Sequence, residues 1–279
     1  MTALLSTLKR FLPESAQGFL RPIYLFALDL SDASARRRDM TPPRRMSFVG
    51  SGDYKTMGRQ FRNLFTEYGG LNPDHRVLDV GCGIGRMAVP LTAYLSAQAE
   101  YQGFDVVKIG VEWCQKNITP RYPIFHFLHA DVRNSFYNPE GSYQSSNYQF
   151  PFEDRYFDFI FATSVFTHML PPDMENYLKE IARVLKNGAT CFITFFLMNE
   201  ESEGCIRQKL STQNFIHEIG GCWTTTPKNP ENAIAFQEKY IRGLFHKFGL
   251  SISEPIYYGS WCGRAKFLNC QDIVIARKV

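Results

Sequence analysis

Several things are scarce or missing in this sequence, and each shortage removes a class of protein. No uninterrupted apolar run comes near the roughly 20 residues a membrane-spanning helix needs. The longest candidate, residues 19–30, is broken by Arg21, Pro22 and Asp29. No compact apolar stretch with a small-residue cleavage site opens the chain, so no secretion signal is expected. The seven cysteines are odd in number, scattered, and never spaced as CxxC. That argues against a disulfide framework or a zinc site, predicts no bound metal, and suits a reducing, cytoplasmic setting. An excess of charge is also missing from most of the chain. Of 31 basic and 27 acidic residues, eight and four fall in residues 1–45, which leaves 23 of each sign in the rest. A neutral body is a poor electrostatic footprint for nucleic acid.

What is present divides into an extension and a domain. Residues 1–45 carry the whole positive excess, with Leu4, Leu5, Leu8, Phe11, Leu12 and Phe19 interleaved, and end at Pro42-Pro43. One or two short amphipathic helices are expected there. They would either dock on an anionic membrane surface, as a peripheral contact, or cap the mouth of an active site. Residues 46–279 read as one domain. Phe61, Leu64, Phe65 and Tyr68 fall at helical spacing before Gly69-Gly70. Strands and helices then alternate: strands at RVLDVG, AEYQGFD, IFHFLHAD, YFDFIFATS and ATCFITFFL, with LSISEPIYY and QDIVIARKV closing the sheet. Helices are expected over 84–96, kinked at Pro90, over KIGVEWCQKN, over DMENYLKEIARVL with Gly188 as its stop, and over 234–248. Such alternation implies an α/β fold with a mostly parallel sheet covered on both faces. Two stretches interrupt it, 133–151 and 199–232, and long insertions in a compact domain often serve as lids or binding loops.

The stretch VLDVGCGIGR, residues 77–86, carries the chemistry. A buried strand runs into Gly81, Gly83 and Gly85, which would let the backbone approach a ligand at the strand's carboxyl end. Asp105, at the end of the second strand, lies 20 residues beyond Gly85, the spacing expected for gripping ribose hydroxyls. The third glycine comes one residue too early for the dinucleotide fingerprint, which disfavours a nicotinamide oxidoreductase. Asp79, just before the loop, would repel a pyrophosphate and suits an ammonium group. Adenosine at one end and a cationic amino acid at the other describe S-adenosyl-L-methionine.

VLDVGCGIGR resembles the first motif of the class I, Rossmann-like S-adenosylmethionine-dependent methyltransferases. YQGFDV is similar to their second, HADV to their third and FDFIFATSVFTHM to their fourth, and the resemblance covers residues 75–279. SVFTHM and WCGR…QDIVIARK further resemble the bacterial small-molecule and glycan-modifying branch. The resemblance implies a seven-stranded doubly wound sheet, its last strand antiparallel, with the cofactor above the first four strands. It also implies a role for each matching position. Asp79, Gly81, Gly83 and Gly85 would form the methionine-side loop, and Asp105, with Val106 beside it, would hold the ribose. Asp131 and Val132 would hold the adenine, and Thr163 and Ser164 would lie near the sulfonium. Lys186-Asn187-Gly188 departs from the usual Lys-Pro-Gly, and the 133–151 insertion puts Asp131 in doubt.

His168, just beyond the fourth strand, is the histidine these motifs place near the transferred methyl. It is either a catalytic base or a group that orders its loop. The aromatics of 133–157 (Phe136, Tyr137, Tyr143, Tyr148, Phe150) either line an acceptor pocket or anchor the insertion. The expected activity is methyl transfer to a small molecule or glycan, at a hydroxyl, with S-adenosyl-L-homocysteine as product. A cofactor-binding scaffold without turnover and an RNA or protein methyltransferase are the alternatives. The acceptor atom and the oligomeric state are not legible in the chain. S-adenosylmethionine should bind and NAD should not. Asp105→Ala should weaken that binding by roughly 1.5–3 kcal/mol, the range for a hydrogen bond to a charged group. Calorimetry showing undiminished affinity in a folded Asp105→Ala variant would remove Asp105 from the site.

Overall fold

The computed structural model describes Asp29, residues 39–46 and residues 53–279. The helices expected within 1–45 lie outside the described residues, apart from Asp29, whose carboxylate accepts the Arg44 backbone N–H at 2.8 Å. The first described helix, α1 (Tyr54–Glu67), starts where the Asp53 carboxylate accepts the Thr56 N–H at 2.8 Å, and buries Phe61, Leu64 and Phe65. Among the described residues no helix is long and apolar enough to cross a membrane.

The strands of the main sheet are β1 (Arg76–Val80), β2 (Glu100–Asp105), β3 (Phe125–His129), β6 (Phe157–Ala162), β7 (Leu185–Phe195), β12 (Leu250–Ile252) and β13 (Asp272–Lys278). Their order is β12-β13-β7-β6-β1-β2-β3. All pairings are parallel except those of β13, which runs antiparallel to both β7 and β12. This is the seven-stranded, mostly parallel arrangement expected. The helices α3 (Lys108–Asn117), α4 (Pro171–Val184) and α6 (Glu238–Lys247) cross between strands.

The sheet is buried on both faces, so its strands read as nearly continuous apolar runs. Side chains alternate across it: Leu78 and Val80 of β1 join the core under α4 and α6, and Val77 joins the core under α1 and α3. Phe65 is fully buried in the second core, with its ring 4.4 Å from Phe161 and 5.0 Å from Phe192 between centroids.

Three expected elements differ. The helix over 84–96 shrinks to α2 (Ala88–Leu91), flanked by turns. Pro90 has no N–H to donate to the preceding turn, and Gly58 of α1 packs so close to the Arg86 carbonyl that a Cβ there would lie 2.4 Å from it. The helix over 234–248 starts only at Glu238, because Ile234–Gln237 forms strand β11. Ile234, Ala235 and Phe236 are fully buried, and their pairing with β8 (Leu197–Met198) and β10 (Cys222–Thr224) outweighs helical periodicity. Gly188 does not stop a helix. It sits at φ +77° inside β7, beside a slip in register between Phe157 and Phe159.

The two insertions are folded. In the first, β4 (Val132–Arg133) pairs with β5 (Tyr143–Gln144). The second contributes α5 (Glu200–Arg207), β9 (His217–Ile219) and β10 to a small sheet of order β8-β11-β10-β9. Phe65→Ala should destabilise the protein by about 3–5 kcal/mol, measured by urea unfolding. A loss below 1 kcal/mol would mean that the aromatic cluster does not organise that face.

Candidate functional site

At the carboxyl edge of the sheet, a cavity opens between the ends of β1, β2 and β6. Its floor is the glycine loop. Gly81 has φ +79°, and a Cβ there would lie 2.4 Å from Val165 Cγ2, so both conformation and space require glycine. The Gly81 and Cys82 N–H groups donate to the Phe104 carbonyl at 2.9 and 3.0 Å, folding the loop onto the end of β2. Gly85 serves packing instead. It does not line the cavity, and a Cβ on it would meet Ile118 Cδ1 at 2.8 Å and Cys114 Sγ at 2.9 Å.

Asp105 ties loop and strand together. Its Oδ2 accepts the Gly83 N–H and its Oδ1 the Val107 N–H, both at 2.7 Å. Burial raises its pKa, against the lowering by those N–H groups. Each oxygen keeps a lone pair for a further donor. Asp105, Val106, Gly81 and Gly83 line the cavity together with Thr163 and Ser164. Ser164 takes φ +58°, an unusual conformation for a residue with a side chain. It is held there by its N–H donating to Thr194 Oγ1 at 2.8 Å and its hydroxyl to Gln271 Oε1 at 3.0 Å.

Asp79, Asp131 and Val132 are not on the cavity wall. The Asp79 side chain lies on the α1 side of the sheet, fully buried, where Tyr101 Oη–H donates to Oδ2 and Oδ1 has no partner. Burial pushes its pKa up to about 8, opposed by the Tyr101 hydrogen bond and aided by nearby Asp105. Asp131 turns away from the cavity into the first insertion, accepting from Ser142 Oγ at 2.6 Å and Asn138 Nδ2 at 3.1 Å. Val132 is fully buried in β4.

Three insertion residues take the wall instead, Asn134, Tyr137 and Ser145. Asn134 Oδ1 accepts the N–H groups of Phe136 and Tyr137 at 3.1 and 2.9 Å, a turn that aims Tyr137 inward. The aromatics of this segment therefore divide. Tyr137 lines the cavity, Phe136 and Tyr143 are exposed, and Tyr148 and Phe150 pack against the core.

His168 also lines the cavity, edge-on to Tyr137 with centroids 6.3 Å apart. Its Nδ1–H donates to the Glu231 carbonyl at 2.8 Å, which leaves Nε2 as the acceptor nitrogen. Burial lowers its pKa, against the raising by its backbone hydrogen bonds, and so favours the neutral ring. Glu231 was not singled out in the sequence, yet it joins both insertions. Its carboxylate accepts the Ser135 N–H at 3.2 Å and the Ser135 hydroxyl, while its carbonyl holds His168. Among the described residues no lysine or arginine lines the cavity.

Buried Asp79 makes a testable contribution to stability. Its native pKa of about 8 lies above the unfolded value near 3.8. The native state therefore keeps a proton that the unfolded chain has released, and stability is lost as pH rises between these values. The slope is at most about 1.4 kcal/mol per pH unit. In Asp79→Asn that contribution to the slope should vanish, so urea-unfolding free energies of the two proteins should diverge from pH 5 to pH 8. Parallel curves would show that the carboxyl ionises normally.

Comparison with known proteins finds similarity over part of the chain. The family described as Methyltransferase domain matches residues 78–193. A sterol 24-C-methyltransferase of Schizosaccharomyces pombe is 30% identical over 137 residues, 49% of this chain but only 32% of that protein. The match thus spans about a third of that relative's length. The fold is shared with a Pyrococcus horikoshii protein (TM-score 0.56, 16% identity, 84% of this chain and 95% of that one). It is also shared with the Burkholderia thailandensis 1,6-didemethyltoxoflavin-N1-methyltransferase, solved with 1,6-didemethyltoxoflavin and S-adenosylhomocysteine (TM-score 0.50, 17% identity, 92% and 90%). Residues 78–193 are thus similar to a methyltransferase domain, on a fold shared with a solved methyltransferase.

Proposed function

We propose that the chain methylates a hydroxyl of a neutral, largely apolar small molecule. The observation that carries this reading is a neutral His168, its tautomer set by the Glu231 carbonyl, in the same cavity as Gly81, Gly83 and Asp105. The residues present fit the cofactor. Gly81 offers bare backbone, and the two Asp105 oxygens each keep an acceptor site for ribose hydroxyls. Thr163 and Ser164 border the reacting end, and Asp79 acts from behind the loop, where an ammonium at the cavity edge favours its ionised form. Asp131 and Val132 are not assigned to adenine, since their side chains point elsewhere. The bound cofactor supplies a methyl group already activated by its sulfonium.

The protein's own tasks are positioning and proton removal. Positioning alone is worth roughly 7–11 kcal/mol. His168 Nε2 takes the hydroxyl proton as the acceptor oxygen forms its new bond. Tyr137, Tyr177, Phe104 and Met169 exclude water and hold an apolar body. With no cation on the wall among the described residues, a carboxylate or phosphate acceptor finds no counter-charge there, which favours a neutral molecule over an anionic one. The similarity to a sterol C-methyltransferase, with the same apolar wall, favours a second reading in which the acceptor is carbon.

If His168 is the base, His168→Ala should lower turnover by about 10²–10⁴ with cofactor affinity nearly unchanged. Wild-type rate should rise with pH through the histidine's pKa, with a midpoint below 6.5, because burial lowers it. The assay is transfer of labelled methyl across a panel of neutral alcohols and phenols. Near-normal turnover in His168→Ala would sink the assignment and turn attention to the carbon acceptor. Joint loss of melting temperature and cofactor affinity would make His168 a loop-ordering residue.

A further inference from the structure

The wall that carries Tyr137 is a turn closed on itself. Asn134 and Asn138 exchange backbone hydrogen bonds at 3.0 and 3.1 Å. With Asn134 Oδ1 also accepting from the Phe136 and Tyr137 N–H groups, residues 134–138 form one small unit. Ser135 and Phe136 are exposed, while Tyr137 is half-buried against the His168 ring.

This unit has few ties to the rest of the protein. At its stem, Asn138 Nδ2 donates to Asp131 Oδ1 and to the Val132 carbonyl, both at 3.1 Å. Among the described residues, its hydrogen bonds to anything beyond residues 131–141 all end on the Glu231 carboxylate. They come from the Ser135 N–H at 3.2 Å, the Ser135 hydroxyl, and Asn134 Nδ2 at 3.5 Å. Glu231 itself stands on a firmer base. Thr224, fully buried in β10, donates its hydroxyl to the Pro230 carbonyl at 2.9 Å, and the Asn232 N–H closes onto the Asn229 carbonyl at 3.0 Å. The charged groups facing the carboxylate are Asp173 of α4 and Arg133 of β4, of opposite sign. His168 is held by the Glu231 backbone carbonyl instead, so ring and turn hang on different atoms of one residue.

We infer that the Glu231 carboxylate is a latch, and Glu231 a positioning residue: it keeps residues 134–138 closed over His168, and on its release Tyr137 leaves the cavity while the His168 ring stays in place. Hydrogen bonds to an ionised acceptor are the strong ones. Without these, the turn keeps only its stem and the packing of Tyr137. Opening would admit water to His168 and an acceptor to the cavity, the work of an active-site lid. That consequence for the acceptor rests on the proposed function, and the latch does not.

The test follows the His168 ring by long-range proton–nitrogen NMR of the full chain from about pH 4 to pH 8, its signals assigned by their loss in His168→Gln. No acceptor is needed, so a failure of the proposed function leaves the result readable. Wild type should show the Nδ1–H tautomer and a midpoint below 6.5, because burial lowers it. In Glu231→Ala the midpoint should rise toward 6.5 as water reaches the ring, with the tautomer unchanged. Loss of the carboxylate's charge would by itself lower the midpoint, so the direction separates exposure from electrostatics. Glu231→Gln keeps a carbonyl oxygen for both Ser135 donors and should stay at or below the wild-type value. Ser135→Ala, at an exposed position, should raise the midpoint by less. It decides alone if near-ultraviolet dichroism shows Glu231→Ala unfolded, and an unmoved midpoint there then overturns the inference. In a folded Glu231→Ala, an unmoved or lowered midpoint overturns it, as does an equal rise in Glu231→Gln. Loss of the Nδ1–H in Glu231→Ala also overturns it, since the carboxylate would then hold the ring rather than the turn.

Discussion

The carboxylate of Asp105 fixes the relation between the first two strands at the edge where ligands bind. With one oxygen it holds Gly83 of the loop leaving β1, and with the other Val107 of the turn entering α3. Two backbone N–H groups at 2.7 Å stabilise its charge against the burial that raises its pKa. The loop can then forgo side chains at Gly81 and Gly83 and still keep one shape. A site built on bare backbone needs such an anchor, because glycine leaves the chain its greatest conformational freedom. The acid that organises the empty loop is also the acid whose spare lone pairs face the cavity.

The opposite wall is built differently. Tyr137 and His168 come from separate excursions of the chain, and Glu231 from a third meets both. No strand carries these residues, so their geometry depends on side-chain and turn hydrogen bonds. The sheet half of the cavity is thus set by backbone pairing and the loop half by polar side chains. Loop-borne walls vary more readily than the scaffold beneath them.

Legibility in the sequence follows the same division. The strand–helix alternation and the glycine turn were readable because their signals are local and periodic: buried runs, glycines directly after a strand, an acid at the end of β2. The antiparallel last strand came only from the family resemblance. The helix expected over 234–248 failed at its start because Ile234, Ala235 and Phe236 fit a helix face as well as a central strand. Only their pairing partners, far away in sequence, decide between the two. Asp131 sits at the expected place in the chain, yet Asn138 and Ser142 of the adjacent insertion bind its carboxylate. Glu231 gave no sequence signal, since its role lies in its carbonyl and in contacts across 63 and 96 residues. Asn134 gave a weak one, as an asparagine opening a turn two residues before an aromatic pair.

Asp79 and Asp105 show how little of an acid's function its sequence position conveys. Both follow apolar strand residues, Asp79 fully buried and Asp105 partly so, but they lie on different sides of one loop. Asp105 receives two backbone donors and lines the cavity. Asp79 receives one phenol, keeps an unpartnered oxygen, and is pushed toward a proton at neutral pH. Two like charges that close to one loop would repel, and the raised pKa of Asp79 removes that repulsion when no cation is present. A cation entering the cavity reverses the balance by favouring the charged form. An acid can thus respond to charge in the cavity without lining it.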